Sequence, residues 1–188
     1  MTWFQSLPRP LFLVTVLLTA AMATPAKAES ADSGGIVLDA PRRAALVELP
    51  PLVRKQLRET HLVDWVVVIG FFASWCPPCR PEFETLNAIR REFAHEDVEV
   101  LAVNIFEDHF KQDAEARLSS FLIEASPLFK VVGEGERVAE LFGPVTRIPT
   151  TIVFARDGRP AMHFVHKQGA DKTHASLDEL RAAVAAAL

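Results

Sequence analysis

The only two cysteines in the 188-residue chain stand three positions apart, in Trp75-Cys76-Pro77-Pro78-Cys79. Thiols at that spacing can close a disulfide, share a metal, or pass electrons by thiol–disulfide exchange. Their surroundings choose among these. The apolar run Val66-Val67-Val68-Ile69-Gly70-Phe71-Phe72 predicts a buried strand, and the residues beyond Cys79 predict a helix. The pair therefore sits at a strand-to-helix junction. The first N–H groups of a helix lack carbonyl partners and the macrodipole adds partial positive charge, so a thiolate is favoured there. The thiolate is the species that attacks disulfides.

With Cys76 as N-cap, Pro77 and Pro78 fill the first two helical positions, where a missing N–H costs nothing. The Cys79 N–H is then the donor left to reach the Cys76 sulfur. Arg80 adds positive charge beside the pair unless it turns into solvent. Pro81, further in, predicts a lost helical bond and a bend. Cys76 is thus expected to be accessible with a moderately lowered pKa, and Cys79 to be buried and less acidic.

Three other readings compete with redox exchange: half of a zinc site, a structural disulfide, and two core cysteines. Zinc takes about four ligands. No second C-x-x-C exists, and the six histidines are scattered singly, so no metal is expected. A bridge across so short a loop removes little unfolded-chain entropy, so it is a poor staple. Redox exchange without a cofactor is the expectation.

The N-terminus has Arg9, an apolar stretch from Leu11 to Ala23, and Ala26-Lys27-Ala28. This pattern predicts a secretory signal over 1–28, cleaved after Ala28. The stretch is shorter than the roughly 20 residues that span a bilayer, so cleavage is favoured over a retained anchor. With no cysteine before Cys76, lipid attachment at an N-terminal cysteine is excluded. Without residues 1–28 the chain keeps 18 basic and 24 acidic side chains, a formal charge of −6. Nucleic acid, which needs a basic face, is not an expected partner. Residues 29–40 are small and polar and predict a flexible leader, and 41–188 suffice for one domain. No dimerisation segment is visible, and a monomer is expected.

Within the domain, Ala44–Leu49 suggests a short strand and Pro50-Pro51 the start of a short helix through Thr60. The pattern then firms up: strand 65–72, helix 77–94, strand 98–103, helix 113–124 with Ala114, Leu118, Phe121 and Leu122 on one side. A strand at 128–132 and a helix at 134–142 ending at Gly143-Pro144 follow. Asp157-Gly158 joins strands 150–154 and 161–165 as a hairpin, and Ser176 with Glu179 has the capping-box spacing that opens a last helix through Ala187. Strand–helix–strand implies a parallel crossover, and the hairpin adds antiparallel pairing. The fold class is α/β, a mixed sheet with helices on both faces.

Phe71-Phe72-Ala73-Ser74-Trp75-Cys76-Pro77-Pro78-Cys79-Arg80-Pro81-Glu82, followed 70 positions after Cys79 by Pro149 in Arg147-Ile148-Pro149-Thr150-Thr151, resembles the thioredoxin superfamily. The helix and strand between the two motifs form a central insertion beyond the minimal pattern. Together with the export signal, they make the chain similar to exported TlpA/ResA-like thiol-disulfide oxidoreductases, including those of cytochrome c maturation. The resemblance covers residues 65–185. It implies Cys76 as nucleophile, Cys79 as resolving thiol and Pro149 as a cis-proline facing the pair, against the alternative of an ordinary trans turn proline. Ile148 would offer backbone groups to an extended substrate, while Trp75, Pro77 and Pro78 would flank the sulfurs. An aromatic residue before a helix is often only core.

Gly70 stands where thioredoxin itself has a buried acid. Glu82, three residues after Cys79 on the same helical face, is the carboxylate that the TlpA/ResA-like pattern carries, and it could take the Cys79 proton. The alternative is a solvated first-turn carboxylate. The resemblance implies a reductant of selected exported protein disulfides, such as those of apocytochrome c or metal-site assembly proteins, recharged by a membrane thiol reductase in the periplasm. A binding or chaperone module that uses the pair to sense redox state or carry a metal transiently is the alternative.

Overall fold

The computed structural model describes Met1 and residues 35–188 except Pro144. The expected signal, and residues 29–34 of the expected leader, lie outside the described residues. Among the described residues no helix is long and apolar enough to cross a membrane.

A six-stranded mixed sheet carries the fold. Its strands are β1 (Pro51–Val53), β2 (Val66–Phe72), β3 (Val98–Asn104), β4 (Lys130–Val132), β5 (Thr150–Phe154) and β6 (Pro160–Val165), in the spatial order β1-β4-β3-β2-β5-β6. β2 is central and buried at every residue, as its unbroken apolar sequence requires. It pairs parallel with β3 and antiparallel with β5. β4 runs parallel to β3, and β6 closes the hairpin with β5.

Helices cover both faces: α1 (Ala40–Glu48), α2 (Cys79–Glu92), α3 (Ala114–Ala125), α4 (Glu136–Leu141) and α5 (Leu177–Ala187). Alternation along β2 sends Phe72 against Phe83 of α2 and Phe121 of α3, with ring centroids 4.6 and 5.4 Å apart. Its neighbour Phe71 meets Phe142, at the end of α4, at 5.6 Å on the other face. α5 packs beside α2, and α1 beside α4. α3 and β4 are the expected insertion, although of α3's apolar residues only Phe121 is fully buried. α4 ends as its sequence predicts, with Gly143 in the left-handed region. The capping box of Ser176 and Glu179 is present at α5.

Three expectations fail before residue 64. The stretch Ala44–Leu49, expected to be extended, is helical through Glu48 as part of α1, because Asp39 caps the backbone N–H of Arg42, Pro41 suits the first turn, and Ala, Arg and Leu favour helix. Pro51 opens a strand instead of a helix. β1 is an edge strand paired only with β4, where a proline's missing donor is tolerated. The end of the expected leader is also part of the domain: Ile36 and Leu38 are buried, and the Leu38 N–H donates to the Gly158 carbonyl at 2.8 Å. Gly158 is required there twice over. Its φ is +79°, and a Cβ would lie 3.0 Å from the Leu38 carbonyl oxygen.

Leu38, only 2% exposed, tests whether this segment is structural. Leu38→Ala is expected to lower unfolding free energy by about 2–4 kcal/mol in urea titration, where removal of a side chain from a loose leader would change it little.

Candidate active site

The site begins where β2 ends. Ala73 to Trp75 form a turn that the Cys76 N–H closes by donating to the Ala73 carbonyl at 3.2 Å. Cys76 and Cys79 are joined in a disulfide, with Cα atoms 5.4 Å apart. Cys79 is wholly buried. Cys76, expected to be accessible, is only 3% exposed, because this turn folds it against the core. Pro77 is exposed and Pro78 half-buried.

The helix start differs from the sequence expectation in three respects. Pro78, not Cys76, is the N-cap, and Cys79 is the first helical residue. The Cys79 N–H donates to the Cys76 carbonyl at 3.1 Å, rather than to its sulfur, and the Arg80 N–H to the Pro77 carbonyl at 3.3 Å. A tight turn therefore precedes the α-helix and uses its first donors. Pro81 then falls third in the helix, where the carbonyl it would have bonded is already taken by Arg80, so it costs no helical bond. The Arg80 guanidinium lies 5.2 Å over the Phe121 ring and pairs with Glu124 on the surface.

Glu82 is not a solvated carboxylate. It has no exposure at all and lies against β2 and β5. The Thr151 hydroxyl donates to one carboxyl oxygen, and the other has no partner. Gly70 makes the room: a Cβ there would lie 3.8 Å from the Glu82 carboxyl and 3.2 Å from Leu86. The carboxyl thus occupies the space beside the strand position where the sequence comparison looked for an acid. Burial pushes the Glu82 pKa up to about 8, with the Thr151 hydroxyl pulling more weakly the other way.

The Ile148–Pro149 peptide bond is cis, so the alternative of an ordinary trans turn proline does not hold. Both residues are buried. The antiparallel register of β2 and β5 sets Phe71 opposite Thr150, so the Ile148-Pro149 loop lies at the end of the sheet from which Ala73–Cys76 departs. The His166 N–H holds the Pro149 carbonyl at 3.0 Å. Among the described residues, neither backbone group of Ile148 has a backbone partner.

Trp75 is half-buried and committed to the segment after β3. Its indole N–H donates to the Phe106 carbonyl at 2.7 Å, and its ring packs on His109 and Phe110 at centroid distances of 5.2 and 5.3 Å. The sequence offered no sign of a second anchor, at Ser74, whose backbone N–H and hydroxyl both donate to Glu107. Thr151 was legible only as part of the proline motif, without its bond to Glu82.

Residues 51–180 match the Redoxin family. The thiol-disulfide oxidoreductase ResA of Bacillus subtilis is 27% identical over 105 residues, which cover 56% of this chain and 55% of that protein. ResA of Bacillus anthracis is 21% identical over 115 residues, 61% of this chain and 62% of that protein. The chain thus spans less than two thirds of the length of these curated relatives. Among solved structures, a secreted Mycobacterium tuberculosis disulfide oxidoreductase homologous to E. coli DsbE superimposes with a TM-score of 0.62 at 17% identity, over 79% of this chain and 99% of that one. That likeness is one of fold. With its match running over more than half its length, the chain belongs to the Redoxin family.

Proposed function

We propose that this chain is an exported thiol-disulfide oxidoreductase that reduces selected protein disulfides through Cys76 and Cys79. The observation that carries the reading is the disulfide at the β2–α2 junction with the buried Glu82 carboxyl one helical turn beyond Cys79. In the reduced chain the Cys76 thiolate attacks one sulfur of a substrate disulfide. A Cys76–substrate bond forms and the other substrate sulfur leaves as a thiolate. Cys79 then gives up its proton and attacks Cys76, which re-forms the internal disulfide and releases the second substrate thiolate. Two electrons have passed to the substrate.

Glu82 serves both halves of the cycle. Below about pH 8 the carboxyl of the oxidised protein holds a proton, which it can deliver to Cys79 when an incoming thiolate opens the disulfide at Cys76. As a carboxylate it takes that proton back when Cys79 resolves the mixed disulfide. The backbone of Ile148, without a backbone partner among the described residues, supports strand-like pairing with an extended substrate beside Pro149, and Trp75, Pro77 and Pro78 frame the approach. The resemblance and the N-terminal sequence support a periplasmic monomer. They also support recharging by a membrane thiol reductase, with apocytochrome c or metal-site assembly proteins as substrates.

Cys79→Ser is expected to accumulate mixed disulfides with exported proteins, read as adducts that dithiothreitol releases. If the adducts persist when Cys76 is also replaced by Ser, the nucleophile assignment fails. Equilibration with a glutathione buffer gives the direction of electron flow.

Glu82 predicts an unusual stability profile. In the unfolded chain it titrates near 4.5 and in the folded chain near 8, so between these values the folded state holds a proton the unfolded state has lost. The resulting stability is complete below about pH 4.5 and is lost as pH rises to about 8, a change of order 5 kcal/mol. Glu82→Gln is expected to flatten that slope in urea titrations from pH 5 to 9. In stopped-flow reduction of a model disulfide it is expected to slow resolution by about tenfold or more and leave the first attack nearly unchanged. Parental rates and pH profiles in the variant would reduce Glu82 to a packing residue.

A further inference from the structure

Four donors converge on Glu107, in the short 3-10 turn Glu107–Phe110 that follows β3. One carboxyl oxygen accepts from the Ser74 N–H and from Asn104 Nδ2, the latter at 2.9 Å. The other accepts from the Ser74 hydroxyl at 2.8 Å and from Arg117 of α3 at 3.3 Å. Arg117 closes the cluster by donating from Nε to the Ser74 hydroxyl oxygen at 3.0 Å. It also holds the turn in shape through the carbonyls of Phe110 and Gln112, at 2.9 and 3.1 Å.

The cluster grips one residue of the turn that presents the nucleophile. Ser74, 5% exposed, lies inside the Ala73–Cys76 turn, and the next residue, Trp75, is fastened to Phe106 of the same segment. Both residues immediately before Cys76 are thus anchored to residues 106–117 rather than to α2. Phe106 itself takes φ +61°, a conformation unfavourable for a bulky residue, and from it accepts the indole N–H. Neither Glu107 nor Arg117 is needed to join core elements, since β2 and β3 are already paired along their whole lengths.

Resting on the exchange reading above, we propose that Glu107, with Arg117, is a positioning residue for Cys76. It acts through Ser74, holding the nucleophile's turn so that the Cys76 sulfur faces the start of α2. Every contact to Glu107 comes from a donor, so a glutamine of the same shape sets its amide donors against them. Released from its anchor, the turn lets Cys76 drift from the helix start, and the thiolate loses stabilisation.

The test is Glu107→Gln in the full chain, with iodoacetamide alkylation of reduced Cys76 followed against pH and the disulfide equilibrated with glutathione. Positioning predicts that the alkylation profile moves to higher pH. It also predicts that the rate at neutral pH falls about three- to tenfold, the net size of one ordinary hydrogen bond, and that the equilibrium shifts toward the disulfide by a similar factor. If Glu107 acted by its charge alone, removing a negative group would move the profile to lower pH, and that outcome overturns the proposal. So does a parental profile and equilibrium with only a lower melting temperature, which would make the cluster purely structural. Ser74→Ala keeps the backbone bond and the charge but deletes the hydroxyl. It is expected to give a smaller shift in the same direction, and it decides the matter if Glu107→Gln does not fold. A parent chain that alkylates at Cys76 but fails to reduce any protein disulfide would refute the functional reading while leaving the effect of Glu107 measurable.

Discussion

A carboxyl group buried without a charge partner is the constraint around which this site is organised. Glu82 lies between α2 and the sheet with a single hydroxyl donor for two oxygens, and an ionised carboxylate there would pay a large desolvation penalty. The chain tolerates it because the group stays neutral over most of the working pH range. Keeping it there requires Gly70 on β2, whose lack of a side chain leaves the space, and Thr151 on β5, which the β2–β5 register sets opposite Gly70. Three residues from three elements thus converge on one face, and the pairing of the central strand brings them together. Surface ion pairs such as Arg159–Asp157 and Arg181–Glu92 weigh little beside this, because solvent screens their exposed charges.

The same strand fixes the rest of the site. β2 is buried on both faces, pairs along its full length with β3, and ends at Phe72, whose carbonyl accepts from Ile105 at 2.9 Å. The next residues must leave at the end of the sheet where the Ile148-Pro149 loop also lies. The cysteine pair, the cis-proline loop and the segment after β3 are therefore neighbours by topology, although they are separated by tens of residues in sequence.

How much of this was legible follows from the range of each interaction. The cysteine pair, the apolar β2, the Asp157-Gly158 turn and the α5 capping box are local patterns, and each is found where its residues predict. Residues 40–48 misled because Ala-Ala-Leu-Val-Glu-Leu fits a period of two as well as one of 3.6, and the decisive cap, Asp39, lies before that stretch. The helix start was placed too early because two prolines are compatible with both a first helical turn and a tight turn before it. Glu82 was visible as a spacing from Cys79, but its depth depends on Gly70 and Thr151, which spacing does not report. Glu107 gave no signal, since its partner Ser74 is 33 positions away and nothing in either neighbourhood marks the pair.

Two carboxyl groups consequently reach this site with opposite surroundings, and under the proposed function they do different work. Glu82 has one hydroxyl donor for two oxygens, and burial makes it hold its proton up to about pH 8. Glu107 has four donors, one of them a guanidinium, shared between its two carboxyl oxygens. A group so heavily bonded fastens the turn before Cys76 to the segment after β3. On the proposed exchange reading, separating the two tasks keeps the turn before Cys76 rigid while the carboxyl behind Cys79 changes its protonation state. A single acid serving both would loosen the turn each time it titrated.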